Sequence, residues 1–389
     1  MTITIPKKGY AEKQAAIVVK CGGLESPSGI AHFLEHKMFE DAEINFFEAF
    51  AKNGAMVNAY THFTHTVYYF SCIDAFDENL ELLQRLVSKT HFTNENVEKE
   101  KGIILSEIDM YADNPYWQVY TNLHKALFHE MALRQDILGI KESIQTITPA
   151  KLQEVYDTFY TPEKMALICV GDFDECRPGL HGRAIRYSDE IRISNDQPLQ
   201  TPPKFVSTEP AHAKENQIEK NMPVAIPIFQ LGFKAISQNT ATNIAAATIL
   251  TDMLAGESSE TYAQLYDSGL IDNQFNAEYL GGSYYGIFLF SGTSSNPQAV
   301  REGIHESIKI GLDSSRFETI KSKHIGRYLK NLNAISNILT AQADLYTRGQ
   351  DVWEMANAFQ NVRMQDVEVQ FAHLLEQNQA LSIINPIAS

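Results

Sequence analysis

The stretch Ser28-Gly-Ile-Ala-His-Phe-Leu-Glu-His36 places His32 and His36 four residues apart, with Glu35 beside the second. On an α-helix, residues i and i+4 differ by about 40° around the axis, so both imidazoles project to one side. Ser28 is in position to cap that helix. Two imidazoles so placed suit one Zn²⁺ ion. Catalytic zinc takes three protein ligands and leaves a fourth position open for water, and a carboxylate next to it can act as general base, the role that falls to Glu35. A helix with solvated charges would carry the same five residues, so the reading requires a third ligand elsewhere.

That ligand is sought in Glu98-Lys-Glu-Lys-Gly-Ile-Ile-Leu-Ser-Glu107, a helical segment in which Glu100 and Glu107 lie two turns apart on one face. Ile103, Ile104, Leu105 and Ile108 flank Glu107. A carboxylate in that setting needs a partner, and a metal is a suitable one. Glu100 can support a ligand or assist the base. The alternative is that both are solvated helix charges.

The rest of the 389 residues bounds the problem. The net charge of −16 disfavours nucleic acid and anionic membrane surfaces as partners. The four cysteines form no Cys-x-x-Cys pair, the N-terminus has no apolar core of a signal peptide, and no apolar run is long enough to span a bilayer. A cytoplasmic protein with reduced thiols is expected. Strand and helix patterns alternate through residues 1–180, a proline-rich and charged stretch at 181–204 reads as a linker, and a similar order returns over 205–389. The expectation is an α+β protein: two domains of similar topology, each a mainly antiparallel sheet covered by helices. His62 and His65 fall in a hairpin turn. They could touch substrate or bind a second metal, but shaping the loop is the preferred role. Trp117 and Trp353 read as core.

Taken together, these motifs resemble the pitrilysin/insulinase class of zinc peptidases, which includes mitochondrial processing peptidase and half-length bacterial enzymes. Gly29-Ile-Ala-His-Phe-Leu-Glu-His-Lys-Met-Phe39, Gly54-Ala-Met-Val-Asn-Ala-Tyr-Thr61, Thr66-Val-Tyr-Tyr69, the segment Glu98–Ile108 and Asn114-Pro115 carry the likeness over most of residues 14–175. The resemblance implies a half-clamshell metallopeptidase binding one Zn²⁺ per chain through His32, His36 and Glu107. It implies Glu35 as general base, Glu100 as the acidic residue close to the site, and Asn58, Ala59 and Tyr60 as the strand that pairs with an extended peptide.

The second half departs from the family pattern. The family supplies an Arg and a Tyr to the tetrahedral intermediate from a segment that here reads Ser258-Ser-Glu-Thr-Tyr-Ala-Gln-Leu-Tyr-Asp-Ser-Gly-Leu-Ile-Asp272. Tyr266 stands at the Arg position and Asp272 near the Tyr position. Asp267 and Asp272 have the wrong sign for an oxyanion. The expectation is a heterodimer in which a second chain of the same fold completes the site around an enclosed chamber, as in small bacterial peptidase pairs, some of them from peptide-natural-product maturation. A homodimer using Tyr284 or Tyr285 is the alternative, and a non-catalytic subunit of the same fold is a further one.

Overall fold

The computed structural model describes residues 1–173, 185–187, 191–193, 209–235, 240–283, 285–374 and 378–387. The first half runs β1 (Thr2–Pro6), β2 (Lys13–Val19), α1 (Ile30–Met38), α2 (Phe46–Lys52), β3 (Met56–Thr61), β4 (Thr66–Cys72), α3 (Phe76–Ser88), α4 (Asn94–Ala112), α5 (Pro115–Leu127), α6 (Lys141–Gln145), α7 (Pro149–Phe159) and β5 (Met165–Gly171). A short antiparallel pair follows, β6 (Ile185–Tyr187) with β7 (Ile191–Ile193). The second half runs β8 (Gln217–Met222), β9 (Ile228–Ala235), α8 (Ala241–Ala255), α9 (Glu260–Asp267), β10 (Asn276–Gly281), β11 (Gly286–Thr293), α10 (Pro297–Ile310), α11 (Phe317–Asn331), α12 (Ile335–Thr347), α13 (Val352–Asn361), α14 (Met364–Phe371) and β12 (Gln379–Pro386).

The two five-stranded sheets share one topology. The first has the order β1-β5-β2-β4-β3, the second β8-β12-β9-β11-β10. In each, the first strand pairs parallel with the last, and every other pairing is antiparallel. The expected α+β class with two similar, mainly antiparallel sheets is what the chain adopts. β2 and β5 are continuous apolar runs because they lie inside the sheet and are covered on both faces, and every residue of Ala15–Val19 and Met165–Val170 is buried. β3 has no buried residue: Met56 and Asn58 are exposed and the other four are half-buried, as suits an edge strand.

The division of the chain differs from 1–180 and 205–389 in two places. One compact unit comprises Met1–Ile108, Gln135–Pro202 and Lys330–Val352; the other comprises Asp109–Arg134, Pro203–Leu329 and Trp353–Ser389. Helix α5, from the first half, packs on β9 and β12, and α12, from the second, packs on β2 and β5. The linker reading at 181–204 lies outside the described residues apart from β6 and β7. Trp353, expected in the core, is 56% exposed. No helix among the described residues is long and apolar enough to cross a membrane.

Candidate metal centre

Gly29, not Ser28, stands at the N-cap of helix α1. Gly29 adopts φ 82°, and the Ser28 hydroxyl is buried with no hydrogen-bond partner among the described residues. A side chain at residue 29 would be strained in that left-handed conformation, and its Cβ would come within 2.7 Å of Ile144 Cδ1 and 2.8 Å of the Leu138 carbonyl. The glycine therefore lets α1 start tight against the loop before α6. Ile30, Ala31, Phe33, Leu34 and Met38 anchor the helix in the core, which also contains Ile104 of α4. Lys37 is fully buried and ties α1 to the start of α4 by bonding the Glu40 carboxylate and the Asn96 carbonyl.

This packing brings together all three residues singled out as ligands. His32 and His36 have ring centroids 4.5 Å apart, and each Nε2 lies 3.7 Å from Glu107 Oε2. One donor atom from each of the three falls within 4.8 Å of the other two. Glu100 is only 5% exposed, and its Oε1 lies 2.9 Å from His36 Nδ1. That contact fits an Nδ1–H donated to Glu100, which leaves the Nε2 lone pair facing Glu107. Glu35 Oε2 accepts a 2.6 Å hydrogen bond from the Thr61 hydroxyl at the end of β3. The sequence places Thr61 at the end of the candidate substrate strand but gives no sign of its bond to Glu35, because nothing local links the end of a strand to a carboxylate on a helix.

The electrostatics favour a cation. Burial, reinforced by His36, pushes the His32 imidazole down to about 3, so it is neutral with a lone pair to offer. Burial raises Glu35 and Glu107, against the opposing pull of Thr61 on the former and of His36 on the latter. His36 is raised: burial opposes its charge, but the hydrogen bond and charge of Glu100, with Glu35 and Glu107, prevail. Three carboxylates thus crowd around one imidazole that can be cationic. A divalent ion fits this donor set of two nitrogens and one oxygen.

Asn58, Ala59 and Tyr60 lie on β3, which pairs only with β4 among the described residues and forms one edge of its sheet. The Ala59 amide donates to Asn58 Oδ1 at 2.9 Å. In the other unit, Tyr266 is exposed and stacks on Tyr262, and Asp272 accepts from the Thr293 hydroxyl at 3.0 Å. Tyr285 is buried against Phe128, and Tyr284 lies outside the described residues.

Comparison with known proteins gives a consistent picture. Residues 3–141 match the family described as Insulinase (Peptidase family M16), and residues 146–323 match the Peptidase M16 inactive domain. The chain is 33% identical over 388 residues to a protein of Bacillus subtilis named as an uncharacterized zinc protease, YmfH, covering 94% of this chain and 89% of that one. It is 33% identical over 152 residues to the mitochondrial-processing peptidase subunit beta of Caenorhabditis elegans, covering 38% of this chain and 33% of that one. Among solved structures, an M16-like peptidase from Alicyclobacillus acidocaldarius superposes with a TM-score of 0.89 at 31% identity, covering 99% of this chain and 96% of that one.

Proposed function

Since this chain belongs to the insulinase family of peptidases, M16, we propose that it is a zinc-dependent endopeptidase acting on extended peptides or leader segments. The observation that carries the reading is the convergence of His32, His36 and Glu107 beside Glu35. When bound, zinc supplies a Lewis acid that polarises the scissile carbonyl and acidifies water. His32, His36 and Glu107 hold the ion, and Glu100 fixes the tautomer of His36. Glu35 takes a proton from water and returns it to the departing amine, and the Thr61 hydroxyl orients its carboxylate. A peptide adds to the free edge of β3 along Asn58, Ala59 and Tyr60, exchanging main-chain hydrogen bonds.

Asp267 and Asp272 have the wrong sign for an oxyanion, and Tyr266 carries no cation where the family pattern has Arg, so the reading includes a second chain of the same fold that supplies cationic and hydroxyl donors and encloses a chamber. The working state is then a heterodimer, and the cytoplasm is its compartment, in keeping with the free buried thiols of Cys21, Cys72 and Cys169. The partner is identified by copurification from the native host. Its addition is expected to raise peptide cleavage by the zinc-loaded chain; an unchanged rate with every copurifying chain would remove the heterodimer from the proposal.

Zinc content tests the centre directly. Glu107→Gln is expected to lose zinc, measured as metal per chain by mass spectrometry after dialysis. Glu100→Gln is expected to keep the fold but weaken zinc affinity or activity by about 10–100-fold, as loss of the group orienting a ligating histidine does. Full zinc retention in Glu107→Gln would overturn the ligand set.

A further inference from the structure

A second cluster lies at the β3–β4 turn, where nothing in the proposed reaction uses it. We infer that His62, His65 and Asp344 form a second divalent transition-metal site, separate from the first centre and built entirely within the same compact unit. One donor atom from each of the three lies within 4.8 Å of the other two. Asp344 comes from α12, the helix that crosses from the second half of the chain to pack on β2 and β5. The site therefore joins residues far apart in sequence.

The turn is held in place before any ligand arrives. The His62 amide donates to the His65 carbonyl at 2.7 Å, and the two rings sit with centroids 5.2 Å apart. The Gly23 and Leu24 amides donate to the His62 and Phe63 carbonyls at 3.2 and 2.8 Å. A Cβ at Gly22 would collide with the same carbonyls, so the loop before α1 closes over the turn only because that residue is glycine. His65 is 2% exposed, and its Nδ1 lies 3.0 Å from the Thr64 hydroxyl.

Unmet bonding capacity surrounds the cluster. His62 Nδ1 and Tyr60 Oη are both buried and have no hydrogen-bond partner among the described residues. Buried polar atoms left so are costly, and an ion or its water would satisfy them. Both imidazoles are kept neutral. Burial, then His62, takes His65 down to about 3; burial also lowers His62, with Asp344 opposing and Arg348 adding to the effect. Neutral imidazoles retain the lone pair a metal needs. Two nitrogens and one carboxylate oxygen suit Zn²⁺, Co²⁺ or Ni²⁺, whereas Ca²⁺ and Mg²⁺ prefer all-oxygen ligands. Arg348 ion-pairs with Asp344 and competes for its charge, so this site is the weaker of the two.

The inference does not depend on the first site being catalytic. Metal-free protein dialysed against zinc chloride is expected to bind two zinc ions per chain. His62→Gln, at a half-buried position, is expected to bind one, and His32→Ala/His36→Ala is also expected to bind one. Circular dichroism checks that each variant is folded. If wild type binds a single zinc that His32→Ala/His36→Ala abolishes and His62→Gln retains, the second site is refuted while the peptidase centre stands. If the single zinc is lost in His62→Gln and kept in the double variant, the second site stands and the centre fails. An anomalous difference map of zinc-soaked crystals gives the same decision without a variant: a peak among His62, His65 and Asp344 supports the site, and none there overturns it.

Discussion

Glu35→Gln is expected to lower kcat for peptide hydrolysis by about 10²–10⁴-fold, the range supplied by a positioned general base, while zinc per chain stays at the wild-type level. The two readouts separate because Glu35 lies beside the candidate ligand cluster without belonging to it. Its Oε2 accepts from Thr61 at the end of β3, whereas His32 and His36, on the same helix, turn their Nε2 atoms toward Glu107. Glutamine keeps the size and can still accept from Thr61, but it cannot take a proton. Assays with the partner chain present and metal analysis of the same preparation test the point together. Activity within threefold of wild type would eliminate Glu35 as the base; a parallel loss of zinc would make it a ligand. Thr61→Val is expected to act more mildly and to displace the pH profile, because it releases a carboxylate that burial already raises.

How much of this was legible in sequence follows from the range of each interaction. The register of α1 and α4 could be read because helical spacing alone places His32 with His36 and Glu100 with Glu107. The start of α1 was misread: Ser28 has the right chemistry for a cap, but Gly29 in a left-handed conformation takes the position instead. β8 went unnoticed because Gln217-Ile-Glu-Lys-Asn-Met222 buries only its last residue, as suits a strand at the sheet's edge. The exchange of α5 and α12 between units was invisible for a different reason. Amphipathic periodicity tells which face of a helix is apolar but not which sheet covers it. Asp344 was missed with it.

The second unit repeats the topology but carries no comparable metal cluster among its described residues. α8 follows β9 as α1 follows β2, and α11 takes the place of α4. A histidine–carboxylate contact joins the helices in both units, with the donors exchanged: His36 to Glu100 at 2.9 Å in one, His324 to Asp252 at 2.8 Å in the other. In the second unit Lys323 also reaches Asp252, at 2.9 Å. Burial opposes the charge of Asp252, but His324 and Lys323 outweigh it and hold the carboxyl below its ordinary range. The cation is thus a side chain of the protein itself, and the surplus of carboxylates that calls for a metal in the first unit is absent.

The largest expected loss of stability comes from Glu209→Ala, about 3–5 kcal/mol, the cost of breaking a buried charged pair from one side. Glu209 accepts from the backbone amides of His129, Glu130 and Met131 at 2.6, 2.9 and 3.0 Å and from Lys234 Nζ at 3.1 Å. Neither side chain of the pair is more than 2% exposed. Alanine would strand a buried ammonium and three amides together. The pH dependence has a definite sign. Burial opposes the charge of Glu209, but the amides and Lys234 prevail and lower its pKa, so its contribution is complete above the unfolded carboxylate value of about 4.3. It fades as pH falls through the lower, folded value. The difference between wild type and Glu209→Ala should therefore shrink in acid. Both tryptophans, Trp117 and Trp353, belong to the unit that contains Glu209 and Lys234, so tryptophan fluorescence during urea unfolding reads that unit. A Glu209→Ala midpoint equal to wild type at neutral pH, or a difference that grows in acid, would mean that the pair does not hold the unit together.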